Sequence, residues 1–173
     1  MHRLCTLLMA AGLFGALSHS APSVAASVPA YAAPEFVGLN NWLNSQPLSL
    51  AQLRGKPVLV DFWTFDCINC LRTLPYVKSW HEKYKDKGLV VVGVHTPEYG
   101  FERKASNVAD AVKRNAIRYP VAQDNGYGTW SAFGNQYWPA LYLVDRKGRV
   151  VYTHFGEGSY AETEAAIRKV LAE

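Results

Sequence analysis

Apolar positions along the chain fall into short continuous runs separated by amphipathic stretches. Val58 to Trp63 (VLVDFW) is apolar except at Asp61, which predicts a strand covered on both faces. Ile68 to Tyr84 instead spaces Leu71, Leu74, Val77 and Trp80 at roughly helical intervals, so a helix is expected straight after that strand. Gly88 ends the unit, and Leu89 to His95 predicts a second buried strand. Phe101 to Ala116 predicts a helix, with Val108, Ala111 and Val112 apolar and Lys113 and Arg114 near its C-terminus. A short strand at Tyr119 to Ala122 and a brief helical or loop segment at Gly126 to Gly134 follow. Leu141 to Val144 and Val150 to Thr153 predict a hairpin, and Tyr160 to Leu171 a closing helix. Upstream, Trp42 to Leu50 predicts a small N-terminal hairpin turning at Asn44 to Pro47, with Ser49 capping a helical turn that ends at Gly55.

Strands alternating with helices predict an α/β fold, and the final hairpin makes its central sheet mixed, with helices on both faces. Reactive sites in such sheets gather at the carboxyl ends of strands. The VLVDFW run ends there in Thr64-Phe65-Asp66-Cys67-Ile68-Asn69-Cys70, with two thiols three positions apart.

The 173 residues suit one domain with a tail, and the 49% hydrophobic and 18% charged fractions are those of a globular protein. The net charge of +4 comes from scattered lysines and arginines, as in KYKDK and RNAIR. No dense basic stripe forms, so the balance implies solvation and no nucleic-acid partner.

The first residues are expected to be a targeting segment. MHR is a positive start, Leu4 to Leu17 is apolar but shorter than the about 20 residues of a spanning helix, and small residues follow. Val24-Ala25-Ala26 and Ala30-Tyr31-Ala32 both fit cleavage sites. The expected organisation is a signal peptide at 1–26, a linker at 27–35 and one domain at 36–173, exported to the periplasm; an uncleaved membrane anchor is the lesser alternative. Cleavage would remove Cys5 and leave Cys67 and Cys70 as the only thiols, too few for a disulfide framework.

A helix starting just after Cys67 turns its free N–H groups and the positive end of its dipole toward that sulfur, favouring the thiolate. Cys70, one turn further, is within bridging reach and more buried. That arrangement suits Cys67 as attacker and Cys70 as resolver. A structural staple would close too short a loop to add much stability. A metal site would want about four ligands, and His81, His95 and His154 show no ligand-like spacing, so neither metal nor cofactor is expected.

VDFW, three further residues and C-x-x-C resemble thioredoxin, as does Pro75 five positions past Cys70. Trp138-Pro139-Ala140, just before LYLV, sits where thioredoxin-like proteins carry a cis-proline. The N-terminal hairpin, LRGKPVLVDFW, the extra segment near 97–122 and the export signal resemble the TlpA/ResA/DipZ-type branch. CINC, HTPEYGFE and GEGSYAETE look closest to its DipZ-type domain. The resemblance, over about residues 36–172, implies a thioredoxin-like fold and an exported thiol–disulfide oxidoreductase acting on protein or peptide disulfides. The DipZ-type proteins carry a membrane electron-transfer portion and an additional domain; in departure from them, this chain is expected to be a stand-alone domain that takes its electrons from a dedicated membrane donor.

A carboxylate within an apolar strand is costly to ionise, so Asp61 should titrate near neutrality and suit proton transfer. By resemblance it is the buried acid that assists Cys70. Pro139 and Trp138 are expected beside the thiols, where an extended substrate could pair with the backbone. Asp66 is expected to cap the helix, its charge disfavouring the Cys67 thiolate and making the couple more reducing. Trp63, Tyr127, Trp130, Phe133 and Tyr137 are assigned to the core; Glu98 and Glu157, each in a loop beside Gly or Pro, are assigned to solvent ahead of an approach to the site. Two other functions remain open. Thr64 and Cys67 fit the T-x-x-C of a thiol peroxidase, although Val60 stands where its proline belongs. A copper-binding or delivery protein would use Cys67 and Cys70 with His95 or His154.

Overall fold

The computed structural model of the protein describes residues 29–173. The expected signal peptide at 1–26, with Cys5, lies outside the described residues. Seven strands form one mixed sheet: β1 (Tyr31–Ala32), β2 (Asn40–Leu43), β3 (Val58–Trp63), β4 (Val90–His95), β5 (Val121–Gln123), β6 (Ala140–Val144) and β7 (Arg149–Phe155). Their order is β1-β7-β6-β3-β4-β5-β2, with β3, β4 and β5 parallel and the other neighbours antiparallel. The helices are α1 (Ile68–Tyr84), α2 (Ala105–Arg114), α3 (Gly128–Ala132) and α4 (Tyr160–Ala172). This is the expected thioredoxin-like arrangement.

Strand alternation divides the core. Leu59 and Trp63 of β3 pack with residues of α1, α2 and α4, including Cys70, Leu74, Val108 and Ile167. Val58, Val60 and Phe62 face the opposite layer, built from the N-terminal segment around Leu50 and Leu53 with Phe133 after α3. Each large apolar side chain sealed this way stabilises the fold by about 1.5–3 kcal/mol.

The two N-terminal strands occupy the outer edges of the sheet, β1 on β7 and β2 on β5. Of the hairpin expected across Asn44–Pro47, only the first arm is a strand. Asn44 adopts φ +64° and donates its amide to the Ile117 and Tyr119 carbonyls. Beyond it the expected helical turn forms: Ser49 Oγ accepts the Gln52 N–H at 3.2 Å, and the Glu35 carboxylate accepts the Leu50 and Ala51 N–H groups. Ordered pairing begins inside the expected linker, where Tyr31 and Ala32 meet Val150 and Arg149.

Gly93 of β4 stands beside Asp61 in the parallel ladder. A Cβ there would lie 3.1 Å from Trp63 Nε1, 3.1 Å from Tyr119 Cε2 and 3.2 Å from Val121 Cγ2. These neighbours are buried and hemmed in, so Gly93→Ala is expected to destabilise the fold by about 1–3 kcal/mol in urea titration. An unchanged midpoint would mean the rings give way without cost.

Candidate active site

Three segments meet at one end of the sheet. Trp63 ends β3 in register with His95, which ends β4, while β6 runs antiparallel and enters with Ala140 beside Phe62. The turn into α1, the loop after β4 and the loop before β6 are therefore neighbours.

Cys67 is the N-cap of α1, extended at φ −85° and ψ 112°, and its Sγ accepts the Cys70 N–H at 3.1 Å. Helix N–H groups and dipole thus meet at the sulfur, with no acidic residue in the first turn. The two cysteines are joined as a disulfide with Cα atoms 5.2 Å apart. Cys67 is partly exposed, whereas Cys70 is 3% exposed and packed in the core. Cys67 is thus the sulfur nearer solvent.

Asp66 does not cap the helix. Its N–H donates to the Glu102 carboxylate at 3.3 Å, which holds the residue one position outside α1 with its own carboxylate exposed. Charge on Asp66 acts on Cys67 through solvent.

Asp61 is 2% exposed and falls on the same face of β3 as Leu59 and Trp63, the face that packs against Cys70. Burial pushes its carboxyl up to about 7, opposed in part by the nearby Tyr119 phenol.

A second buried acid, Glu102, was not legible in the sequence. It is fully buried and accepts from the Thr64 hydroxyl and from the N–H groups of Asp66, Glu98 (2.6 Å) and Tyr99 (2.7 Å). One side chain thereby clamps the turn before Cys67 to the loop after β4. His95 is also fully buried, 3.2 Å from Thr64 Oγ1 and stacked on Phe65. Since Thr64 gives its proton to Glu102, His95 Nε2 is the donor to Thr64. Burial lowers its pKa to about 4, so this ring is neutral near pH 7.

The Trp138–Pro139 peptide bond is cis. Trp138 Nε1 donates to the Thr96 carbonyl at 3.0 Å, and its ring lies 4.1 Å from that of Trp130. The Asp124 carboxylate fixes Trp130 by accepting its N–H at 2.7 Å. Trp63 and Phe133 are core residues as expected, but Tyr137 is 54% exposed and leans on Phe155. Of the two loop acids, Glu157 pairs with Arg72 at 3.4 Å, while Glu98 lines a cleft beside Cys67. Among the described residues no group of three or more His, Cys, Asp or Glu side chains is placed to share a metal ion.

The sequence profile of the Redoxin family matches residues 27–171. The chain belongs to that family. Protein DipZ of Mycobacterium tuberculosis is 50% identical over 142 residues, which are 80% of this chain and 20% of that protein. The chain thus spans about a fifth of the length of the DipZ proteins it matches. The thiol-disulfide oxidoreductase YkuV of Bacillus subtilis is 30% identical over 140 residues, covering 81% of this chain and 94% of the relative. The solution structure of a thioredoxin-like protein in its oxidised form superposes with a TM-score of 0.74 at 31% identity, over 82% of this chain and 95% of that one. The chain thus combines a Redoxin-family sequence and a thioredoxin-like fold with two joined cysteines at the start of α1.

Proposed function

We propose that the chain is an exported reductant of disulfides in partner proteins, working through Cys67 and Cys70 in a periplasmic compartment. The observation that carries this reading is a cysteine pair at a helix start with one sulfur reachable and the other buried. In the dithiol form the Cys67 thiolate attacks one sulfur of the partner. The partner's S–S bond breaks, a Cys67–partner disulfide forms, and the second partner sulfur leaves and takes up a proton. Cys70 then gives its proton through water to Asp61 and attacks Cys67 Sγ; the first partner sulfur is released and takes up a proton from solvent, to which Asp61 returns its own. Two electrons and two protons reach the partner, and the protein becomes the disulfide form. Resetting it needs electrons from outside the chain, which we assign to a dedicated membrane donor. No helix among the described residues is long and apolar enough to cross a membrane. Export rests on the sequence of residues 1–26.

Two alternatives find less support. The Thr64 hydroxyl is committed to Glu102 and His95, which removes it from a peroxidase role at Cys67. His154, the other candidate copper ligand, lies on β7 with β6 between it and β3.

Equilibration with glutathione tests the direction of transfer. With an exposed carboxylate beside Cys67 and no histidine between the cysteines, the potential is expected near thioredoxin's roughly −270 mV. Asp66→Asn should raise it by on the order of 10–20 mV, the scale of one solvent-screened charge. A wild-type value near the roughly −120 mV of DsbA would make the protein an oxidant.

A further inference from the structure

An open cleft of about 480 Å³ lies against Cys67. One wall is the pair of Tyr99 and Phe101, whose rings are 5.8 Å apart and within 3° of parallel. Both are about half exposed, at 52% and 51%, and Ile68 on the opposite side is 60% exposed. Three large apolar side chains left open to water around one reactive sulfur mark a contact surface. Asp66 and Glu98 line the same cleft, and no lysine, arginine or histidine does. Neither acid forms an ion pair among the described residues. The cleft is therefore acidic on a chain whose net charge is +4.

The wall is built in advance. Glu102 accepts the N–H groups of Glu98 and Tyr99 and of Asp66 on the other side, so the width of the cleft is fixed before anything binds. We infer that this cleft selects partner segments in which the disulfide-bonded cysteine is flanked by apolar and then by basic residues. The apolar side chains fill the space between Tyr99, Phe101 and Ile68. The cations sit against Glu98 and Asp66. The inference rests on the oxidoreductase reading. It predicts discrimination against acidic disulfides, glutathione disulfide included, because their carboxylates would meet two unpaired acids.

The test uses the reduced full chain and the disulfide-linked dimers of three peptides: Arg-Leu-Cys-Leu-Arg, Glu-Leu-Cys-Leu-Glu and Arg-Ser-Cys-Ser-Arg, all blocked at both ends. Their symmetry makes the outcome independent of the direction of binding. The second-order rate constant for the first peptide should exceed that for the second by about tenfold at low ionic strength, and the gap should shrink in about 0.5 M salt. It should exceed that for the third by several-fold. Glu98→Gln should narrow the Arg/Glu ratio, and the double variant Tyr99→Ala, Phe101→Ala the Leu/Ser ratio. These positions are exposed, and thermal unfolding checks that each variant is folded. Equal rates for all three peptides, or ratios that the variants leave untouched, overturn the cleft inference while leaving the oxidoreductase reading intact. No reduction of any peptide or of 5,5′-dithiobis(2-nitrobenzoate) overturns both.

Discussion

Cys67→Ser is expected to abolish disulfide reduction, whereas Cys70→Ser should carry out the first half of the reaction and stop, accumulating a mixed disulfide with the partner. The asymmetry follows from exposure. Cys67 borders the cleft and Cys70 is 3% exposed beneath it, so only the former can meet a partner sulfur. It follows also from electrostatics, since Cys67 Sγ takes the place of the N-cap acceptor and receives the Cys70 N–H. Removing the attacker removes every later step. Removing the resolver removes only the intramolecular attack that frees the partner, so the bonded intermediate persists. Non-reducing gels and intact-mass measurement distinguish the two variants. Alkylation of the reduced wild type gives an independent reading, with Cys67 modified first. Faster modification of Cys70 would reverse the roles and would require α1 to open.

The elements at the site were the most legible in the sequence because local pattern alone determines them. VLVDFW matches β3 and Ile68–Tyr84 matches α1 at both ends, since an apolar run meets a turn carrying the cap. What the sequence could not show depends on distant partners. The second arm of the Asn44–Pro47 hairpin does not form: Asn44 is tied to Ile117 and Tyr119, and Glu35, fifteen residues before Leu50, accepts the Leu50 and Ala51 N–H groups. The helix expected from Phe101 divides into a 3-10 turn at Gly100–Arg103 and α2 from Ala105. Glu102 is the cause, because its side chain is drawn inward to Thr64, 38 residues earlier. An acid in the first turn of a helix ordinarily faces solvent, so nothing in the local pattern marked it. Asp61 gave itself away by its apolar neighbours. Glu98 stands in the sequence only as an acid in a loop beside proline, for which solvent is the stronger expectation, and the folded loop brings it beside Cys67.

Asp61→Asn should change both stability and rate, each with its own pH dependence. In the folded protein burial moves the Asp61 carboxyl from 3.8 to about 7. Below about pH 4 the acid is neutral in both folded and unfolded chains, and Asn, similar in shape, should make little difference. As pH rises from about 4 to about 7 the unfolded chain releases this proton and the folded one retains it, so wild-type stability falls through that window. Above about 7 both forms are ionised and the penalty stays constant. At about 1.4 kcal/mol per pKa unit it reaches a few kcal/mol, so the variant should be more stable than wild type by on the order of 2–4 kcal/mol near pH 8. Denaturant titrations at both ends of the window measure this directly. The rate should move the other way. Without a carboxylate to accept the Cys70 proton, release of the mixed disulfide should slow by about a hundredfold near neutral pH, the low end of the effect of a positioned base. Alkaline pH should restore part of the loss as Cys70 ionises unaided. A variant that gains stability but keeps the wild-type pH–rate profile would leave Asp61 with a cost to the fold and no part in proton transfer.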